Sequence, residues 1–152
     1  MLNIVLIEPL IPQNTGNIAR TCAAIGARLH IVKPIPFEIS DKAVKRAGLD
    51  YWQYLDIKIH ESLQDFLCMY KNNIFFFVET GSDSLYTEVE YTKDCFIFFG
   101  KETAGLPKDL LQSDLGKVVT IPTLDHIRSL NLSNAVAIVA YEALRQIGRS
   151  FI

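Results

Sequence analysis

Cysteine is scarce in this chain, and its placement excludes two architectures. Cys22, Cys68 and Cys95 make an odd count, with no C-x-x-C pair and no nearby histidine cluster. Neither a disulfide framework nor a zinc site is expected, and no metal cofactor is predicted. Basic charge is not in surplus either: 15 Lys+Arg stand against 17 Asp+Glu, for a formal net charge of -2. That balance counts against nucleic-acid binding through overall charge and leaves a local basic patch as the route to RNA. No apolar run has membrane-spanning length. The opening "MLNIVLI" lacks a basic lead, is too short for a signal core and runs straight into "EPLIPQN", so it reads as a first buried strand. A cytoplasmic protein with no membrane partner is the expectation. Neither G-x-G-x-x-G nor G-x-x-x-x-G-K-[ST] occurs, which weighs against ordinary dinucleotide or triphosphate binding and leaves a flavin-binding α/β module as a further alternative. Repeats, low-complexity tracts and linkers are also missing, so the 152 residues are expected to form a single domain, 1–152.

What is present is an alternation of strand-length apolar runs with helical periodicity, in a composition that is 49% hydrophobic and 21% charged. This is the pattern of an α/β fold with a mostly parallel sheet flanked by helices. Strands are predicted at Leu2–Ile7, Leu29–Val32, Ile74–Val78, Cys95–Phe99 and Val118–Ile121, with a weaker one at Ile57–His60. A first helix is predicted from Thr15 to Ile25, capped by Asn14 and ended by Gly26, because Ile18, Cys22 and Ile25 form one stripe. A second is predicted over Asp41 to Ala47. A third follows Ser62 and carries Leu63, Phe66, Leu67 and Tyr70. The last carries Leu132, Val136, Val139, Ala140, Ala143, Leu144 and Ile147 and stops at Gly148.

Open α/β sheets bind ligands beyond the carboxyl ends of their strands, which directs attention to the loops there. In "NTGNIAR" a glycine turn, a helix N-terminus and Arg20 suit an anion such as an RNA phosphate; plain capping with a solvated Arg20 is the other reading. In "GKETAGLP", Gly100 permits close approach to the backbone and Gly105 suits a left-handed turn. Glu102 either holds the loop or faces a cationic ligand. In "RSLNLSN", one or two polar residues suffice to cap the last helix. The excess of Ser129, Asn131, Ser133 and Asn134 suggests a pocket floor that hydrogen-bonds a polar heterocycle or a carboxylate.

With these three motifs in this order, the chain resembles the SPOUT superfamily of knotted methyltransferases. "NTGNIAR", "FGKETAGLP" and "IPTLDHIRSLNLSNAVAIVAYEALRQ" are similar to its motifs one, two and three. "LNIVLIEPLIPQNTGNIART" and "KRAGLDYWQY" are similar to the small bacterial enzymes that methylate the ribose 2′-oxygen of the wobble nucleotide, position 34, cytidine or modified uridine, in leucine tRNAs. The resemblance implies a deep C-terminal trefoil knot, S-adenosylmethionine as cofactor with S-adenosylhomocysteine as product, tRNA as partner and a homodimer as the working unit.

Carried over residue by residue, the resemblance implies a cofactor site at Phe77, Gly100, Ile121 and Ser129, which Leu130 adjoins and to which Glu102 is added as a candidate, and it implies Arg20 as the catalytic residue, with Ser129 and Asn131 as further catalytic candidates. A guanidinium is a poor general base, so Arg20 reads better as a phosphate clamp and stabiliser of the developing alkoxide. Lys33, Lys42, Lys45, Arg46 and Tyr141 join Arg20 as candidate RNA contacts; Lys42, Lys45 and Arg46 share a helix face by their spacing. A solvated face is the other reading of that trio. Lys101 and Ala104 stand where subfamily members often have Pro and Arg. A non-catalytic RNA-binding protein on the same fold is the alternative function. Retention of Arg20, Gly100, Glu102, Ser129 and Asn131 together favours an enzyme.

Overall fold

The computed structural model describes residues 1–39 and 51–148. Its strands are β1 (Asn3–Ile7), β2 (Arg28–Val32), β3 (Asp56–His60), β4 (Phe75–Val78), β5 (Phe96–Phe99) and β6 (Lys117–Val119). Its helices are α1 (Pro12–Ile25), α2 (Leu63–Met69), α3 (Lys108–Leu111) and α4 (Leu132–Ile147), with a 3-10 turn at Trp52–Tyr54. The predicted helix over Asp41–Ala47 lies outside the described residues.

The strands form one six-stranded sheet in the order β3-β2-β1-β5-β4-β6, and every pairing is parallel. Strand alternation sorts the apolar side chains between two cores. Ile4, Leu6, Leu29, Ile31, Phe76, Ile97 and Phe99 face α1 and α4. Val5, Ile7, Val32, Phe75, Phe77, Phe96 and Phe98 face Phe66 of α2 and Leu110 of α3. The weaker strand prediction at Ile57–His60 is real. The predicted Val118–Ile121 is realised as Lys117–Val119, starting one residue earlier and ending two residues earlier, because Thr120 leaves the strand to exchange backbone bonds with the loop after β4 (Thr120 N–H to Ser84 O and Tyr86 N–H to Thr120 O, both 2.9 Å).

Helix ends follow the sequence with one correction. Gly26 and Gly148 close α1 and α4 in the left-handed conformation, and Ser62 caps α2 by accepting from Asp65 N–H at 3.1 Å. Asn14, however, does not cap α1. The helix starts earlier, with Pro12 in its first turn and Ile11 at the N-cap without a side-chain bond; proline tolerates that position because its missing N–H would have no helical partner there. Asn14 is thereby carried inside the helix, where it is buried.

One buried polar chain crosses the second core. Asn3 Nδ2 donates to the carbonyls of Met1 (2.9 Å) and Cys95 (3.3 Å), so its Oδ1 is left to accept. His30 Nε2 lies 3.1 Å from that oxygen and His30 Nδ1 lies 3.0 Å from His60 Nε2. The network therefore assigns the His30 proton to Nε2 and a donating N–H to His60 Nε2. Phe66, Tyr70 and Phe96 pack around His30. Burial, then the neighbouring His60, Arg28 and Lys58 charges, lower the His30 pKa from 6.5 to about 3.

Candidate active site

The loops after β4 and β5, the N-terminus of α1 and the approach to α4 enclose a cleft of about 530 Å³. That size and its mixed lining suit a single small organic ligand. Val78, Phe99, Ile121, Leu132 and Ala135 supply apolar walls, while Gly100 to Gly105 and Arg128 to Asn131 supply backbone and polar groups.

The wall after β5 is a tight loop held by two carboxylates. Gly105 N–H donates to Lys101 O at 2.9 Å, which folds the loop back on its own start. A Cβ on Gly100 would lie 1.9 Å from the Gly105 carbonyl carbon. Gly100 is thus demanded by the loop's own backbone, independently of any ligand's approach. Gly105 has φ 69°, and a Cβ there would lie 2.3 Å from Glu79 Oε2. Glu79 closes the far end by accepting from Leu106 N–H at 2.8 Å and Thr80 N–H at 3.0 Å.

Glu102 holds the near end. Its carboxylate accepts from Leu10 N–H (2.8 Å), Ile11 N–H (3.0 Å) and Asn14 Nδ2 (3.2 Å). Glu102 therefore supplies the cap that α1 lacks in its own sequence, and an acidic group at a helix N-terminus is favoured by the helix dipole. Of the two roles open to it in the sequence, the loop-holding one is realised. Lys101 reaches the other way and pairs with Glu8, which stands just past β1 with φ 49°.

The polar excess before α4 resolves in the same way. Asn131 is the N-cap, its Oδ1 accepting from Ser133 N–H (2.9 Å), Asn134 N–H (3.4 Å) and Ser133 Oγ (2.6 Å). Its Nδ2 donates to Asn14 Oδ1 at 3.1 Å. Glu102, Asn14, Asn131 and Ser133 thus form one hydrogen-bonded chain through all three motifs. Ser129 and Leu130 are left free of capping and line the cleft.

Comparison with known proteins gives this architecture a family. The sequence profile of the SpoU rRNA Methylase family matches residues 1–141. The chain belongs to this family. A tRNA (cytidine(34)-2'-O)-methyltransferase of Yersinia pestis is 45% identical over 154 residues, covering 97% of this chain and 95% of that protein. The enzyme of the same name from Saccharophagus degradans is 42% identical over 149 residues, covering 97% of each chain. A solved structure that concerns 2-OH methylation of C/U34 on tRNA superposes with a TM-score of 0.92 at 40% identity, covering 98% of both chains. An AdoMet-bound rRNA methyltransferase from Sinorhizobium meliloti superposes with a TM-score of 0.86 at 25% identity, over 96% of this chain and 56% of its own.

Within this SpoU methylase, six of the residues proposed from sequence converge: Gly100, Glu102, Ile121, Ser129, Leu130 and Asn131 line one cleft. Phe77 does not. Strand alternation turns it to the opposite face of the sheet, fully buried with its ring centroid 5.1 Å from that of Phe98; Val78 and Glu79 line the cleft instead. Arg20 is exposed on α1 and its guanidinium lies 5.2 Å over the Tyr51 ring, outside the cleft lining. Lys33 pairs with Glu61 at 3.1 Å on the surface. Tyr141 is 48% exposed on α4. Lys42, Lys45 and Arg46 lie outside the described residues. Sequence reading missed Glu79 and Arg128 as lining residues and the bridging role of Asn14. The one local signal for Glu79 was its position directly after a buried strand.

Proposed function

We propose that this chain transfers a methyl group from S-adenosylmethionine to the ribose 2′-oxygen of the wobble nucleotide, position 34, cytidine or modified uridine, of leucine tRNAs. The observation that carries this reading is the convergence of three distant motifs on one cleft at the carboxyl end of the sheet. The cleft fits the cofactor: its volume is in the range for a molecule of that size, apolar Ile121, Leu130 and Leu132 can flank a purine, and the two loop backbones offer edges for hydrogen bonding. When bound, the sulfonium supplies a methyl group already activated for transfer, so the protein's work is placement and removal of a proton.

Ser129, Leu130 and the Gly100–Glu102 wall hold the cofactor in this reading. The Glu102–Asn14–Asn131 chain keeps that wall and the α4 entry in register. Arg20 steadies an RNA phosphate and the developing alkoxide, and a second copy of the chain brings it to the cleft. Support for such a homodimer comes from the exposure of Arg20 away from its own cleft and from exposed apolar side chains at Ile138 and Tyr141 on α4. The chain acts as one domain, 1–152, in the cytoplasm, with its C-terminal part threaded as a trefoil knot. The contact of Arg128 with Thr103 brings the segment before α4 beside the loop after β5, as such threading requires. No helix among the described residues is long and apolar enough to cross a membrane.

The test is incubation of the protein with labelled S-adenosylmethionine and tRNA from cells lacking the activity, followed by nucleoside mass spectrometry. A new 2′-O-methylated pyrimidine mapping to the wobble position of leucine tRNAs is expected. Cofactor binding without transfer to any tRNA would move the reading to another acceptor, and absence of cofactor binding would leave an RNA-binding protein.

A further inference from the structure

The charged side chains of the cleft are not equivalent. Both oxygens of Glu79 and both of Glu102 accept from N–H groups of the loops they fasten. Lys101 is paired with Glu8. Arg128 differs: among the described residues it has no acidic partner, and its Nη2 donates to the Thr103 carbonyl at 2.7 Å.

That bond has a positional consequence. Arg128 and Thr103 are both exposed, so the guanidinium sits at the rim of the cleft, where the loop after β5 meets the segment that leads into α4. One arm of the fork is held by a backbone oxygen, which leaves the donors of the other guanidinium nitrogens for a ligand. An anchored guanidinium of this kind loses less freedom on meeting an anion than a free surface arginine does. Ser129, which lines the cleft, is its immediate neighbour. The adjoining loop position is Ala104, exposed and without charge.

We propose that Arg128 is an anion-binding residue at the cleft mouth, and that its ligand is a backbone phosphate of the polynucleotide whose ribose enters the cleft. The inference rests on the reading of the chain as an RNA methyltransferase and adds to it a phosphate contact made by the same protomer that holds the cofactor. A planar fork with one arm pinned presents paired donors in a fixed direction, which matches two phosphate oxygens. The contact would fix the register of the RNA backbone against the cofactor, while Arg20, over Tyr51, lies outside this cleft.

The competing ligand of the same chemistry is the carboxylate of the cofactor, and the experiment separates the two. The intact protein and its R128Q and R128K variants are compared for S-adenosylmethionine affinity by calorimetry, and for tRNA affinity across a salt series by filter binding. The expected result for R128Q is wild-type cofactor affinity, tRNA binding weakened about tenfold, and a salt slope reduced by roughly 0.7 to 0.9, the value of one lost phosphate contact. R128K, which keeps the charge without the fork, is expected to retain the salt slope with an intermediate affinity. Unchanged tRNA affinity and slope in R128Q would overturn the inference, as would a loss of cofactor affinity, which would assign Arg128 to the cofactor carboxylate. Failure of the wild-type protein to bind tRNA would overturn the RNA reading itself, and is distinguished because it precedes any effect of the variant.

Discussion

Asn131 Nδ2 donates to Asn14 Oδ1 at 3.1 Å, joining the cap of the last helix to the first turn of the first. The Asn14 amide donates onward to Glu102 at 3.2 Å, so one buried carboxamide bridges the two loops that wall the cleft. An asparagine that merely capped its own helix would touch neither. Asn14→Ala is expected to cost about 1 kcal/mol by removing the acceptor of Asn131 Nδ2 and one of the three donors to Glu102, and to weaken S-adenosylmethionine binding at least fivefold. Calorimetry beside thermal melts checks this; unaltered cofactor affinity in a folded variant would show that the bridge is dispensable to the site.

Glu102→Gln separates shape from charge. Glutamine keeps the side-chain length but offers one carbonyl where the carboxylate has two accepting oxygens, so either the Leu10 donor or the Ile11 and Asn14 donors together lose their partner. A stability loss of about 1 to 2 kcal/mol is expected, with a weaker cofactor complex. Denaturant unfolding with and without the cofactor measures both effects.

Gly100→Ala should be far more severe than a methyl group on a surface loop would suggest. The added Cβ would meet backbone at 1.9 Å, which no side-chain rotation relieves, so the turn must open. Loss of cofactor binding is expected, together with destabilisation of about 3 kcal/mol or more, readable as a lowered Tm and abolished calorimetric signal.

Phe77 tests the two-faced sheet. Phe77→Leu removes packing from the core shared with Phe75 and Phe98 and is expected to lower stability by about 1 to 2 kcal/mol. Because its ring faces away from the cleft, cofactor affinity should stay within about twofold. A large affinity change would put the ring's influence through the sheet.

His30 gives a pH dependence of known sign. Its folded pKa is lowered from 6.5 to about 3, and that of His60 is lowered too, first by burial and then by Lys58. Between those limits the unfolded chain binds a proton that the folded chain refuses, so stability is highest above about pH 6.5 and falls as the pH drops toward 3. The expected slope is about 1 kcal/mol per pH unit for one such group. Thermal melts at about pH 5 and pH 7.5 should show the fall, and the His30 ring should not titrate across that range by NMR.

Much of this molecule was legible in its sequence. Unbroken apolar runs in "NIVLI", "FFFV" and "FIFF" mark strands buried on both faces, because successive side chains must point to opposite sides of a sheet. The stripe at Ile18, Cys22 and Ile25 marks α1, and the loops after the apolar runs mark the edge where ligands bind. Even the surplus of polar residues before α4 pointed to a site. Those signals are local: each arises from the periodicity of one element or the backbone demands of one turn.

What sequence could not decide were the partners of side chains that reach across the fold. Glu102 and Leu10 are 92 positions apart, as are Asn3 and Cys95, and no spacing rule links such pairs. The start of α1 at Pro12 depends on a carboxylate from another loop, which is why Asn14 read as a cap and proved to be a bridge. Phe77 sits beside the site in sequence yet faces away from it, because which side of a strand meets the cleft is set only when helices cover both faces. The sequence alone determined the elements, their amphipathic faces and the segments rich in donors and acceptors. Only the tertiary structure decided which of those donors and acceptors meet, because that depends on strand order and loop closure, through which residues far apart along the chain come within bonding distance.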